Sequence, residues 1–141
     1  MSGQLIKNYG RLWARNLKNF RHLNGRIGVY VLCDGSMPVY IGQSNDLGTR
    51  MRRHNRSKTK RHFWDHFSWF AITKPEFLDD IEALMVGMLP CYLRILNKEC
   101  PKFANPKARL MRRDKTDQVV HPPREFPKLA PQSRRKAQKP R

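Results

Sequence analysis

The sequence predicts a small α/β (α+β) domain: a three-stranded antiparallel sheet flanked by helices, with an N-terminal helix before it and a basic tail after it. Three observations carry that expectation. Two short β-branched runs, G-V-Y-V-L from Gly28 and V-Y-I-G ending at Gly42, flank an Asp34-Gly35 turn signal and read as a β-hairpin. Helical apolar spacing begins near Asn45 and again near Lys74. Between them, R-H-F-W-D-H-F-S-W-F-A-I-T has the aromatic content of a third strand, around Phe67 to Ile72.

Residues 1–25 hold Leu5, Tyr9, Leu12, Trp13, Leu17 and Phe20 at helical intervals, with Lys7, Arg11, Arg15 and Lys18 between them. That pattern predicts a basic amphipathic helix packed on the domain that follows. Asn24-Gly25 marks the break before the hairpin. Within the hairpin, a three-residue turn Asp34-Gly35-Ser36 is expected because Pro38 disfavours a tighter one. That register sets Tyr30 directly across from Tyr40, with both phenols on one face.

Ser44-Asn45-Asp46 supplies N-cap residues for a helix running to about Asn55. On its wheel Leu47 and Met51 face the core, and Arg50 and His54 project to the same side. Arg52 and Arg56 point away and Arg53 lies on the flank. From Arg50 to Arg61 there are seven Lys or Arg and no carboxylate, a surface suited to phosphates. Arg50, Arg52, Arg53, Arg56, Lys58, Lys60 and Arg61 are therefore the expected nucleic-acid contacts. His62 and His66 sit four apart, but no ligand pattern accompanies them and a zinc site is not expected.

Pro75 opens the next helix, in which Phe77, Leu78, Ile81, Leu84, Met85, Met88 and Leu89 form an apolar arc, with Ala83 opposite. Glu82 falls inside the edge of that arc. A carboxylate there needs a partner or a cation, whereas Glu76, Asp79 and Asp80 are accounted for by the helix N-terminus. Glu82 is thus the expected metal ligand, for one Mg²⁺ or Mn²⁺, which as hard cations take oxygen ligands and retain waters. Arg50 is placed to grip a phosphate with its guanidinium fork. After Pro90 the helix is expected to resume as far as Asn97.

The chain has 141 residues, with 29 Lys and Arg against 11 Asp and Glu, a formal charge of +18. That balance calls for a polyanionic partner. Three cysteines, at 33, 91 and 100, form no C-x-x-C pair, which fits reduced thiols in a cytoplasmic, nucleoid or nuclear setting rather than a secreted one. No apolar run approaches membrane-spanning length. Residues 107–141 carry 12 Lys or Arg, 3 acids and five prolines, the composition of a free tail that adds non-specific electrostatic affinity. The expected organisation is a helix over 1–25, a domain over 26–106 and this tail.

Gly28-Val29-Tyr30 and Tyr40-Ile41-Gly42, with Arg50 eight positions after Gly42 and Glu82 on a later helix, resemble the signature of the GIY-YIG nucleases. The resemblance runs from roughly Arg26 to Asn97 and implies a divalent-metal-dependent endonuclease that hydrolyses DNA phosphodiesters. It implies that Tyr30 orders the site and helps position or deprotonate the attacking water, with Tyr40 beside it. It further implies that Arg50 binds the scissile phosphate, Glu82 holds the metal, and Gly28 and Gly42 are structural, Gly42 by permitting close approach of backbone. His54 falls where some members carry a histidine. The family asparagine corresponds to Asn97 or, since it closely follows a proline, to Asn105. The rival class is a non-catalytic, basic DNA- or RNA-binding protein of the same composition.

Overall fold

A computed structural model describes residues 3–89, 97, 103–105 and 107. The elements run β1 (Ile6–Ala14), α1 (Leu17–Arg21), β2 (Gly28–Asp34), β3 (Met37–Ser44), α2 (Leu47–Arg56), β4 (His66–Ile72), a 3₁₀ turn (Pro75–Phe77) and α3 (Leu78–Met88). The sheet has four strands rather than three, all antiparallel, in the order β1-β4-β2-β3. The expected resumption of helix over 91–96 and the tail beyond Lys107 lie outside the described residues.

The added strand corrects the expectation of an N-terminal helix. Apolar spacing over 5–20 fits a helix, yet Ile6–Ala14 pairs with β4 from Ile6↔Ile72 to Ala14↔His66, with irregularities after Ile6 and Gly10. Gly10 explains the choice. It costs a helix about 1 kcal/mol, and in the strand it lies under the indoles of Trp13 and Trp69, where a Cβ would come within 2.6 Å of Trp13. Helix is confined to α1, which Asn16 caps by accepting the Asn19 N–H at 2.8 Å. Phe20 and Leu23 then drop into the core.

The hairpin also departs from expectation. Its turn has two residues, Gly35 at φ 61° and Ser36, so Asp34 faces Met37 and Cys33 faces Pro38. A bulge at Val39 follows, and Leu32 pairs with Tyr40 while Tyr30 pairs with Gly42. Pro38 is tolerated because β3 is an edge strand. Tyr30 and Tyr40 are diagonal rather than opposed, yet they share a face, with ring centroids 6.2 Å apart.

One face of the sheet carries the larger core, where Tyr30, Leu32, Phe67, Trp69 and Ala71 meet Phe20 and Leu23 together with Leu47 and Met51 of α2. The other carries a smaller cluster in which Val29 and Ile72 meet Leu78, with Ile81 and Met85 packed on it. The α3 arc is narrower than its spacing suggests. Ala83 is buried rather than outward, while Phe77, Leu84 and Met88 are exposed.

Gly28 starts β2 directly opposite Ala71 of β4. A Cβ there would collide with the Phe70 carbonyl and lie 3.0 Å from the Ala71 Cα, both backbone and unable to swing away. Gly28→Ala is therefore expected to destabilise the fold by about 1–3 kcal/mol, read as a lower urea midpoint with an unchanged slope.

Candidate active site

The site is assembled on Tyr30. Strand β2 aims its side chain at α2, and the phenol is 1% exposed. Space for it comes from Gly42, its partner across the hairpin. A Cβ on Gly42 would overlap the Tyr30 hydroxyl and sit 2.6 Å from its Cζ. The second tripeptide thus ends in glycine because the first tripeptide's tyrosine lies across it.

Helix α2 brings the next two groups. Asp46 sets its start by accepting the Thr49 N–H at 3.1 Å and the Gly25 N–H at 3.1 Å. These contacts, the Thr49 backbone first, hold the Asp46 carboxyl below its ordinary value. From that start, Leu47 and Met51 enter the core and His54 follows them to 4% exposure. Its Nε2 lies 2.6 Å from the Tyr30 hydroxyl. The Tyr30, Tyr40 and His54 rings form a closed trio, with centroids 5.2 Å apart for Tyr40–His54 and 5.3 Å for Tyr30–His54.

Electrostatics set the charge states of this trio. Burial, reinforced by Tyr40, pushes the Tyr30 phenol well above its ordinary value; Arg50 offsets part of the rise and Glu82 adds to it. Burial, then the charges of Lys60, Arg50 and Arg53, push His54 down to about 3. Phenol and imidazole are therefore both neutral, and which of Oη and Nε2 donates follows the imidazole tautomer. Arg50, half-buried on α2, acts on both groups. Lys60 stands over the Tyr40 ring with Nζ 3.9 Å from its centroid.

Glu82 approaches from α3. Its Oε2 accepts from Gln43 Nε2 at 2.6 Å, and the same nitrogen donates to Asp79 Oδ1 at 2.6 Å. Both amide hydrogens of Gln43 are thus spent on two carboxylates. Oxygen donors of this kind suit a hard divalent cation. Among the described residues no group of three or more His, Cys, Asp or Glu converges, so such an ion would rely on water and phosphate for its other ligands. Sequence reasoning missed Gln43 and assigned Asp79 only to the helix end; nothing in the spacing marks a glutamine one residue past Gly42.

Asn97 does something different from joining the trio. Its Oδ1 accepts the Ile41 N–H at 3.0 Å and its Nδ2 donates to the Ile41 carbonyl at 2.8 Å, so its amide is engaged on the edge of β3. Asn105 is exposed and accepts the Lys107 N–H at 3.0 Å. Arg52, Arg53 and Arg56 line a shallow cleft of about 580 Å³ with Thr49 and Ser57, on the outward side of α2 and away from Tyr30. Lys58 and Arg61 are exposed.

A family model described as the GIY-YIG catalytic domain matches residues 26–85. That segment belongs to the GIY-YIG nuclease superfamily. The chain is also similar to solved structures of the GIY-YIG N-terminal endonuclease domain of UvrC from Thermotoga maritima. One is bound to magnesium, with 20% identity over 50% of this chain and 84% of that one, at a TM-score of 0.45. A point mutant bound to its catalytic divalent cation aligns with 20% identity over 50% of this chain and 83% of that one, also at 0.45. No curated protein matches the chain. Strand β1 and Asn97 lie outside the GIY-YIG match.

The buried neutral His54 makes stability depend on pH. Unfolded, the imidazole takes a proton near 6.5; folded, it resists until about 3. The unfolded state binds more protons in that window, so stability falls as pH drops from 6.5 towards 3. His54→Asn is expected to flatten this part of the curve, measured as Tm against pH beside wild type.

Proposed function

We propose that this protein is a divalent-metal-dependent DNA endonuclease whose site comprises Tyr30, Tyr40, Arg50, His54 and Glu82. The observation that carries the reading is the buried Tyr30–His54 contact, flanked by Tyr40, Arg50 and Lys60, inside a GIY-YIG segment. Glu82 would hold one Mg²⁺ or Mn²⁺, which when bound supplies Lewis-acid stabilisation of charge on the phosphoryl oxygens.

The side chains supply the remaining steps. Arg50 grips the scissile phosphate, and Lys60 adds a second positive charge beside Tyr40. Tyr30 Oη accepts a proton from the attacking water as its own proton passes to His54 Nε2. Cations that depress His54 in the free protein are those a phosphate would neutralise, namely Lys60 and Arg50. Substrate binding thereby raises the basicity of His54 when the proton must move. Gln43 keeps Glu82 oriented, and Asp79 adds a second negative charge near the cation. The Arg52, Arg53 and Arg56 cleft tracks the DNA backbone outside the reacting centre. In this reading the basic tail from 107 adds affinity without base recognition. No described helix is long and apolar enough to cross a membrane, and the setting we favour is the nucleoid, nucleus or cytoplasm.

Labelled duplex, branched and single-stranded DNA, with RNA counterparts, test the proposal with and without Mg²⁺ or Mn²⁺. Wild type is expected to yield metal-dependent DNA products. Glu82→Ala and Tyr30→Phe are each expected to lower the cleavage rate by about 10²–10⁴-fold while gel-shift affinity stays near wild type. Absence of a metal-dependent product on every substrate would overturn the enzyme reading and favour a binding protein. Arg52→Ala, Arg53→Ala and Arg56→Ala together should instead weaken binding and flatten its salt dependence by about one phosphate contact each.

A further inference from the structure

The sheet face that carries Gln43 is only partly covered. Helix α3 packs on β2 and β3. The same face continues across β4 to β1, and there the side chains meet solvent. Tyr9 pairs with Phe70, Phe70 with Val29, and Val29 with Gln43. One row of side chains therefore crosses the whole sheet, from the amide that holds Glu82 to Tyr9 on the far edge. Three strand spacings separate its ends, roughly 14 Å.

Tyr9 is 61% exposed. Its ring lies nearly parallel to that of Phe70, at 13° and 5.8 Å between centroids. Phe70 is itself half-buried against the Val29 cluster, so the tyrosine is braced by the sheet while most of its own surface is open. Ile6 and Leu12 on the same strand are also exposed, at 38% and 42%. Lys7 and Arg11 flank Tyr9, both exposed. Residues 1–33 contain six Lys or Arg and no Asp or Glu, so the only partner this edge complements electrostatically is a polyanion.

We propose that the β1 edge is a binding surface for unpaired DNA, with Tyr9 as a stacking platform for a base and Lys7 and Arg11 as its phosphate contacts. A duplex hides the faces of its bases, whereas a single strand or an unpaired junction offers them. Because Tyr9 and Gln43 lie in one row, DNA held at the platform lies a few nucleotides from the Glu82 side of the site. The proposal names the substrate class for the function proposed above and rests on that reading only for this placement. Binding at Tyr9 itself needs no cleavage.

The test is fluorescence anisotropy of the full chain in EDTA, with a short single-stranded oligonucleotide and with the same sequence as duplex. Tyr9→Ala is expected to weaken single-strand binding about tenfold and duplex binding less than about twofold, with Tyr9→Phe restoring the single-strand affinity. Lys7→Ala and Arg11→Ala should each lower the salt slope for the single strand by about 0.7, a change Tyr9→Ala does not produce. Equal single-strand affinity for Tyr9→Ala and wild type, or equal losses on both DNA forms, would overturn the platform. Photocrosslinking of wild type to a 5-iodouracil oligonucleotide gives an answer without any variant: an adduct on Tyr9 supports the platform, and adducts elsewhere only would overturn it. Since none of these readouts requires a cut strand, failure here is separable from failure of the nuclease reading.

Discussion

One contact organises the molecule: the Tyr30 hydroxyl against His54 Nε2, 2.6 Å apart and shut away from water. A buried phenol or imidazole without a partner would cost more than the contact returns, so each is tolerable only because the other is there. Meeting that condition draws on three separate decisions in the chain. The β2–β3 register must turn Tyr30 towards α2, Gly42 must vacate the ground beneath the ring, and Asp46 must start the helix at the turn that brings His54 round to it. A change at any of the three reaches the other two through the same pair of atoms.

Helix α2 then divides labour between its faces. Leu47, Met51 and His54 point inward, and the imidazole stays neutral because burial and the charges of Lys60, Arg50 and Arg53 all oppose its protonation. Arg52, Arg53 and Arg56 face outward around an open cleft. A short amphipathic helix thus carries an arginine-lined cleft on one side and a buried polar contact on the other.

Much of this was legible in residue order. The two tripeptides, the Asp46 cap and the i, i+4, i+7 positions of Leu47, Met51 and His54 are local signals, and the elements they mark are present. What failed was decided at a distance. Ile6–Ala14 has helical spacing, but the open side of β4 and the two indoles over Gly10 reward a strand. Tyr30 and Tyr40 share a face as expected, though through a two-residue turn and a bulge that cancel in parity. Gln43 escaped notice because its partners, Asp79 and Glu82, are more than thirty residues away. Ala83 and Leu84 exchanged the environments their wheel suggested, since α3 packs on β2 and β3 with Ala83 turned inward and Leu84 left in solvent.

Asn97 has a consequence of another kind. Strand β3 ends the sheet, and the outward N–H and C=O of an end strand invite a stray strand to add itself. With its one side-chain amide, Asn97 answers both groups of Ile41, as the peptide unit of a neighbouring strand would. A residue that sequence reasoning assigned to chemistry therefore acts here as a stopper, closing this stretch of the edge to self-templated growth next to Tyr40.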